Sequence, residues 1–525
     1  MILVSAKQMR LADERTINEI GLPGIVLMEN AARGAAKVIV EAVGEVEGLA
    51  VAAFCGRGNN GGDGLAVLRM LAQKGAVCTA FLLAKAEQLG PDAAINLRVA
   101  EACGVEVIEL PDEDAFDLYA GEMAAYDIYV DAILGTGLSA PVEGLYLRAI
   151  EALNESDAPI LAIDMPSGLS ADTGRPLGQA VRADWTATFG AVKRGLLLDF
   201  ENHAGELSLV DISIPPHVFD ELDIDCLLLE PQTVAALLPP RDASAHKGDF
   251  GHLLVVGGAP GYSGAPCLAA MGGLRAGAGL VTVALPAGLN IVAETKLTAC
   301  MSHPLPQTAT GALDVAALED ARQLMASRQA LALGPGLGRA AESAQLAIAL
   351  MNVIEAPLVI DADALNALAE SPEPPVWAAE QVVLCPHPGE AGRLLGCQTA
   401  EIQADRLDAA RRIAAKYNAV CLLKGARSVI AAPDGLAWVN DTGSPLLASG
   451  GSGDVLTGLI GGLLAQGSSA LEAALCGAFI HGLAAQLAAE EFGLRGLAAE
   501  ELADYLPTAF ATLEAGHDHD HHDED

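Results

Sequence analysis

Asp454 stands directly behind a run of glycines in Gly450-Gly-Ser-Gly-Asp454, where the chain turns into an apolar stretch of helical pattern. A glycine-rich turn feeding a helix aims free backbone N–H groups and the positive dipole end at whatever lies above the carboxylate. Phosphoryl transfer to an alcohol needs amides that hold the charge of the moving group and a base that takes the hydroxyl proton. A base so placed contributes roughly 10²–10⁴-fold in rate. The same pattern also suits a plain turn in which Asp454 only caps its helix.

Earlier in the same half, Lys424 closes an apolar run and is followed by Gly425, Ala426, Arg427 and Ser428. The ammonium and the amides after it suit a nucleotide phosphate, and the planar fork of Arg427 can hold one by two bonds; a solvated basic turn is the alternative. His387 lies between Pro386 and Pro388, which keep the backbone extended and the imidazole in a defined place. Asp363 is expected to cap a helix beginning at Ala364, with a water-mediated magnesium–nucleotide contact by Asp361 and Asp363 as the second reading. Gly264 and Ala265 either leave room for a flat ligand against the backbone or simply let a helix pack closely on its strand.

The first half carries a different set. Gly56-Arg-Gly-Asn-Asn-Gly-Gly-Asp-Gly64 matches the dinucleotide fingerprint formally, between a strand and a helix starting at Leu65. No acidic residue clearly closes the next strand, and Asn59, Asn60 and Asp63 offer more oxygen than hydride transfer needs, which suits a hard cation as well. Asp131, the segment Gly135-Thr-Gly-Leu-Ser-Ala-Pro141, and Asp164-Met-Pro-Ser-Gly168 follow two further strands. The carboxyl ends of parallel strands are where open sheets bind ligands. Lys193 and Arg194 either add positive charge there or form a solvated pair.

These residues need elements to position them. Apolar runs at 49–55, 77–83, 105–108, 128–132, 160–163 and 186–189 alternate with helical stretches. The pattern resumes at 253–256, 280–284, 330–333, 358–360, 382–385, 420–423 and 428–431. Such alternation predicts an α/β protein with parallel sheets covered on both faces. At 525 residues the chain exceeds one core. Proline pairs at 215–216 and 239–240, with an acidic patch between them, mark the connection.

Aromatics make up 4% of a chain that is 52% hydrophobic, so small aliphatic side chains must do the packing. A formal charge of −38 excludes nucleic acid and anionic membrane as partners. Ten scattered cysteines point to a reduced, cytoplasmic compartment. The N-terminus lacks the apolar length of a signal peptide, and Gly461, Gly462, Gln466 and Glu472 interrupt the apolar candidates for a membrane span. Gly516 opens a low-complexity His/Asp tail, expected to be disordered.

The motifs resemble known families. Asn59-Asn-Gly-Gly-Asp63, Asp131 with Gly135-Thr-Gly137, and Asp164 to Gly168 resemble the NAD(P)H-hydrate epimerases over nearly the whole first half. His246-Lys-Gly-Asp-Phe-Gly251, Pro386-His-Pro-Gly-Glu390, Lys424-Gly425 and Gly450 to Asp454 resemble the NAD(P)H-hydrate dehydratase branch of the ribokinase-like fold. The whole chain is thus similar to the bifunctional bacterial NAD(P)H-hydrate repair enzymes.

The resemblance implies two three-layer αβα domains. A Rossmann-like epimerase domain is expected at 1–225, a linker at 226–240, a ribokinase-like dehydratase domain at 241–510 and the tail at 511–525. It implies epimerisation of the R and S forms of hydrated NAD(P)H, and dehydration of the S form at the expense of ADP, giving AMP and phosphate. A potassium ion is expected at Asn60, Asp131 and Ser167, and Mg²⁺ with ADP in the second domain. Asn59, Asn60, Gly61, Gly62, Asp63, Gly135, Thr136, Gly137, Leu138, Ser139, Ala140, Pro141 and Asp164 would line the damaged cofactor in the first site. In the second, Ala265, Gly336, His387 and Asp454 would hold it, while Lys424, Gly425, Ala426, Arg427, Ser428 and Gly453 contact the nucleotide. Asp454 is expected to be the dehydratase base, and Asp164, from position and chemistry, the proton-transfer group of the epimerase. Partners are expected to be small molecules and further copies of the chain. A dehydrogenase-like domain joined to a small-alcohol kinase, and a non-catalytic nucleotide-binding scaffold, are the rival readings.

Overall fold

The computed structural model describes residues 1–373 and 375–520. The chain divides into two compact units, Ile2–Cys226 and Leu227–Asp525 with Met1.

The first unit is built on seven parallel strands in the order Glu106–Glu109, Val77–Leu82, Ala50–Cys55, Ile128–Ala132, Ile160–Ile163, Trp185–Phe189 and Glu206–Val210. The order runs outward in both directions from Ala50–Cys55 and Ile128–Ala132. Such a reversal opens a crevice at the carboxyl ends of the two central strands. Phe54, Phe81 and Tyr129 fill one face of the sheet, while Ala, Leu and Val from the Gly24–Val43 and Asn59–Ala72 helices fill the other. The edge strand Glu206–Val210 escapes prediction because it is short and half-buried, without the continuous apolar run of a central strand. A short N-terminal strand, Leu3–Val4, pairs with Val192–Lys193 and leads into the Ala6–Arg15 helix.

The second unit holds ten strands, in the order Cys226–Leu228, Ala437–Asn440, Ser428–Ala431, Val420–Leu423, Val382–Leu384, Leu358–Ile360, Ala330–Leu333, His252–Val256, Leu280–Pro286 and Met301–Leu305. Ser428–Ala431 runs antiparallel to both of its neighbours. The order reverses between His252–Val256 and Ala330–Leu333, so the loops after these strands flank a second crevice.

The Ser452–Ala465 helix lies almost wholly inside this unit and packs closely on the Gly264–Arg275 helix. A methyl on Gly458 would stand 1.8 Å from the Ala269 carbonyl oxygen, and one on Gly272 would stand 2.2 Å from that of Val455. Only glycine at these two crossing points lets the backbones approach so closely. That contact sets the height at which Asp454 emerges.

Residues 226–240, expected as a linker, instead supply the Cys226–Leu228 edge strand and the Pro231–Leu237 helix. The Leu229 amide donates to the Val439 carbonyl, and Val234 is fully buried in the second core. The proline pairs bracket a short element rather than a free connection. The tail is also shorter than expected, because the Ala499–Asp520 helix carries the backbone through the first ten of its residues; 521–525 lie outside the described residues. The Ala470–Phe492 helix is long and apolar enough to cross a membrane by length and composition. Its most apolar window is 72% buried, as a core helix would be.

Candidate functional site

In the second unit, Gly451 at φ +95 starts the Ser452–Ala465 helix, and Asp454 occupies its first turn rather than the cap. The buried His481 fixes this helix start, with Nε2 2.9 Å from the Ser452 carbonyl oxygen. Burial lowers the imidazole's pKa to about 4, so the ring is neutral at physiological pH. The Ser452 hydroxyl donates to the Leu447 and Ser449 carbonyls and tightens the same turn.

Asp361, at the end of Leu358–Ile360, ties this helix to the predicted nucleotide loop. Its Oδ1 accepts from Lys424 Nζ at 2.6 Å, and its Oδ2 accepts from the Thr457 hydroxyl at 2.5 Å. Thr457 is one turn beyond Asp454. Burial alone would lower the Lys424 pKa, but the charges of Asp361 and Glu390 outweigh it and raise the value to about 12. A methyl on Gly453 would meet Lys424 Nζ at 3.6 Å, so lysine, glycine amide and Asp454 share one corner. Burial, with the charges of Asp361 and Asp363, pushes Asp454 up to about 7 against the pull of Lys424. A carboxyl so poised exchanges protons near neutrality.

His387 caps the Pro388–Leu395 helix. Its Nδ1 accepts from the Gly389 and Glu390 amides at 3.0 and 3.3 Å, and its own amide donates to Glu390 Oε2 at 2.9 Å. With Nδ1 accepting, the neutral ring carries its proton on Nε2. Burial and the Lys424 charge hold the pKa below the usual histidine value. The side chain is 52% exposed, with Nε2 3.4 Å from Glu390 Oε1, so the ring edge that faces solvent is held by the same glutamate that the helix cap uses. The Lys424 amide donates to the Pro386 carbonyl, so the histidine and lysine loops are joined.

Across the crevice, a methyl on Gly336 would stand 2.5 Å from the Tyr262 carbonyl and 3.0 Å from Ala265 Cβ. Gly336 and Ala265 therefore meet at the switch point. Asp363 does not cap its own helix as expected. Its Oδ2 accepts from the Gly338 amide at 2.9 Å, and Asn366 donates to its Oδ1, fastening the glycine turn. Gly425 and Ala426 are exposed, and Arg427 turns the chain at φ +55 into Ser428–Ala431.

In the first unit, Asn59 to Asp63 form the opening turn of the Asn59–Ala72 helix, which begins six residues earlier than expected. Close packing requires this: a methyl on Gly61 would lie 1.9 Å from the Gly56 carbonyl. Asp164 sits at φ +66, a conformation that costs about 1–3 kcal/mol and is held by its surroundings. Lys193, 0% exposed, donates to Asp164 Oδ1, to the Thr188 hydroxyl at 3.1 Å and to the Phe189 carbonyl at 2.8 Å. It is no solvated lysine. A methyl on Gly135 would be 3.2 Å from Asn60 Oδ1 and 3.3 Å from Asp164 Oδ2, so three expected site residues converge on one small space. Gly137 and Ser139 to Pro141 are exposed on its rim.

Below, the fully buried Asp131 accepts from the Ser167 hydroxyl at 2.5 Å and the Ser167 amide at 2.7 Å. Burial raises its pKa to about 6, and no positive side chain is among the groups that shift it. The buried Asn60 Nδ2 has no hydrogen-bond partner. The Asp131 carboxylate, the Ser167 hydroxyl and the Asn60 side-chain oxygen are the donor types that a hard cation takes, whereas the unpaired Asn60 Nδ2 is a hydrogen-bond donor and suits an acceptor atom of a ligand.

Sequence reasoning missed the double duty of Asp361, the buried Glu390 with its pKa near 7, and Asp13, whose pKa rises to about 6 through burial and the charge of Asp164. Thr457 carried a signal, three residues from Asp454 on one helix face. Asp13 carried none, because no motif surrounds it.

The family profile described as NAD(P)H-hydrate dehydratase matches residues 253–508, and that of the YjeF-related protein N-terminus matches 24–195. The bifunctional NAD(P)H-hydrate repair enzyme Nnr of Moorella thermoacetica is 42% identical over 98% of this chain and 97% of its own. The Escherichia coli protein of the same name is 36% identical over 95% and 92%. A solved ADP/ATP-dependent NAD(P)H-hydrate dehydratase from Bacillus subtilis, co-crystallised with ATP/Mg²⁺, is 33% identical. It covers 55% of this chain and 99% of its own, with a TM-score of 0.48.

Proposed function

Because this chain belongs to the family of bifunctional NAD(P)H-hydrate repair enzymes, we propose that it restores hydrated NADH and NADPH by two reactions. The first unit interconverts the R and S hydrates, and the second dehydrates the S form at the expense of ADP, releasing AMP and phosphate. One observation carries the dehydratase reading: Asp454, with a pKa near 7, shares a corner with the Gly453 backbone and with a lysine fixed through Asp361.

Lys424 and the amides from Gly425 to Ser428 hold the nucleotide phosphates, and His387, Ala265 and Gly336 hold the hydrate. Asp454 takes the proton of the ring hydroxyl as its oxygen attacks the terminal phosphorus, and the helix N-terminus stabilises the equatorial oxygens. Phosphate leaves far more readily than hydroxide, so the lone pair of the ring nitrogen expels it as a C=N⁺ bond forms, and loss of a proton from the adjacent ring carbon to solvent then restores the ring double bond. Mg²⁺ on the nucleotide screens the phosphate charge; Asp361 is already committed to Lys424 and Thr457 and would reach it only through water.

In the first unit, Asp164 transfers the proton of epimerisation. Asn60, Asp131 and Ser167 hold potassium, which supplies fixed positive charge for an anionic ligand. Replacing potassium with a bulky organic cation should slow epimer exchange; an unchanged rate would remove the ion from this reading. Ten cysteines scattered singly along the chain suit a cytoplasmic location.

The test is the full chain with a mixture of both hydrate epimers, ADP and Mg²⁺. Complete conversion to NADH with equimolar AMP supports both activities. Conversion stopping at the S fraction refutes the epimerase, and an accumulating phosphorylated product refutes the dehydratase.

A further inference from the structure

The first unit carries, on its Ala6–Arg15 helix, an acid that no motif announces. Asp13 lies on the Ala6–Arg15 helix, next to the fully buried Ala12. The pairing of Val4 with Lys193 anchors the start of this helix beside the lysine that holds Asp164. Met9 reinforces the anchor, since a methyl on Gly190 would meet Met9 Cε at 2.9 Å. Asp13 follows Met9 by one turn on the same face of this helix, where the charges of Asp164 and Lys193 act on it, and Asp63 on the Asn59–Ala72 helix feels Asp13, Asp164 and Lys193 together. Three carboxyls and one buried ammonium thus act on one another, with only Asp164 in direct contact with Lys193 and with Glu14 as a further charge on Asp13's own helix.

We propose that Asp13 is the second proton-carrying group of epimerisation and works opposite Asp164 on the hydrated ring. The proposal rests on the epimerase reading above. Inverting the carbon that bears the hydroxyl requires one group to protonate the departing oxygen and another to deprotonate the oxygen that arrives on the other face. One carboxyl gives its proton to the ring hydroxyl, the C–O bond breaks, and water leaves as the ring nitrogen's lone pair forms a C=N⁺ bond. Water then adds to the opposite face of the same carbon, forming the new C–O bond, and its proton passes to the other carboxylate. Solvent exchange resets the pair. An excess of carboxyls over cations suits this step, because the ring is positive midway. Burial and the neighbouring carboxylates keep the Asp13 and Asp63 protons on to higher pH than an ordinary aspartate, so an acid and a base coexist near neutrality.

The experiment is Asp13→Asn and Asp13→Glu in the full chain, with epimer exchange followed across pH, thermal unfolding of the first unit as the folding control, and dehydration of purified S hydrate as the check on the second. The account expects Asp13→Asn to lose roughly 10²-fold or more in epimerase kcat at nearly unchanged KM. It expects one limb of the pH profile to vanish, Glu to recover part of the rate, and dehydration to be untouched. Retained epimerase kcat, a loss confined to KM, or an intact two-limbed profile would overturn the role of Asp13. Absence of epimer exchange in the unsubstituted chain would instead refute the epimerase reading itself.

Discussion

Lys424 and Thr457 are joined by a single carboxylate: Asp361 accepts from the lysine ammonium at 2.6 Å and from the threonine hydroxyl at 2.5 Å. One buried residue between two strand ends thus sets the distance from the nucleotide loop to the helix that carries the base. Placement of that kind is worth many orders of magnitude to a two-substrate reaction.

Asp361→Asn should accordingly do more than weaken a contact. It leaves the Lys424 ammonium buried without its partner, which costs about 3–5 kcal/mol. Thermal unfolding should show the second unit melting earlier, and dehydration should be lost while epimer exchange persists. A variant with both melting and dehydration unchanged would show that the shared carboxylate is incidental.

Asp454 predicts a pH dependence in two observables. A base acts ionised, so dehydration at saturating substrate should rise with pH through about 7. Stability should move the other way. The folded pKa lies above the unfolded value of 3.8, so the folded state binds the proton more tightly, and stability declines as pH rises between the two values. Asp454→Asn should flatten that part of the decline; identical melting profiles across this range would contradict the burial of the acid.

His387 predicts a tautomer. Nitrogen-15 shifts should report a neutral ring protonated on Nε2 at neutral pH, since Nδ1 accepts two amides. His387→Ala should raise KM for the hydrate by roughly 3- to 10-fold, the value of one neutral hydrogen bond, with little change in kcat. A large fall in kcat would instead make the imidazole a proton carrier.

Much of this is legible in the amino-acid sequence. The central strands 160–163, 330–333, 358–360 and 420–423 are found where continuous apolar runs predict them, because a strand covered on both faces leaves no polar position to confuse the pattern. Edge strands such as Met301–Leu305, with His303 and Pro304 inside it, carry no such run. The glycine-flanked Asp454 and the proline-framed His387 were readable because local backbone geometry dictates their residue types. Asp361 could be seen, but its partners could not: Lys424 and Thr457 are 63 and 96 residues away, and only the strand order brings them together. Asp13 lay furthest from view, on a helix whose exposed residues read as an ordinary solvated face.

The most direct test of the central claim is a single turnover of Asp454→Asn with S hydrate, ADP and Mg²⁺, measured beside nucleotide affinity. The account predicts intact nucleotide binding, with AMP release and the return of NADH absorbance slowed together by roughly 10²–10⁴-fold. Turnover within a few-fold of the unsubstituted chain would contradict it.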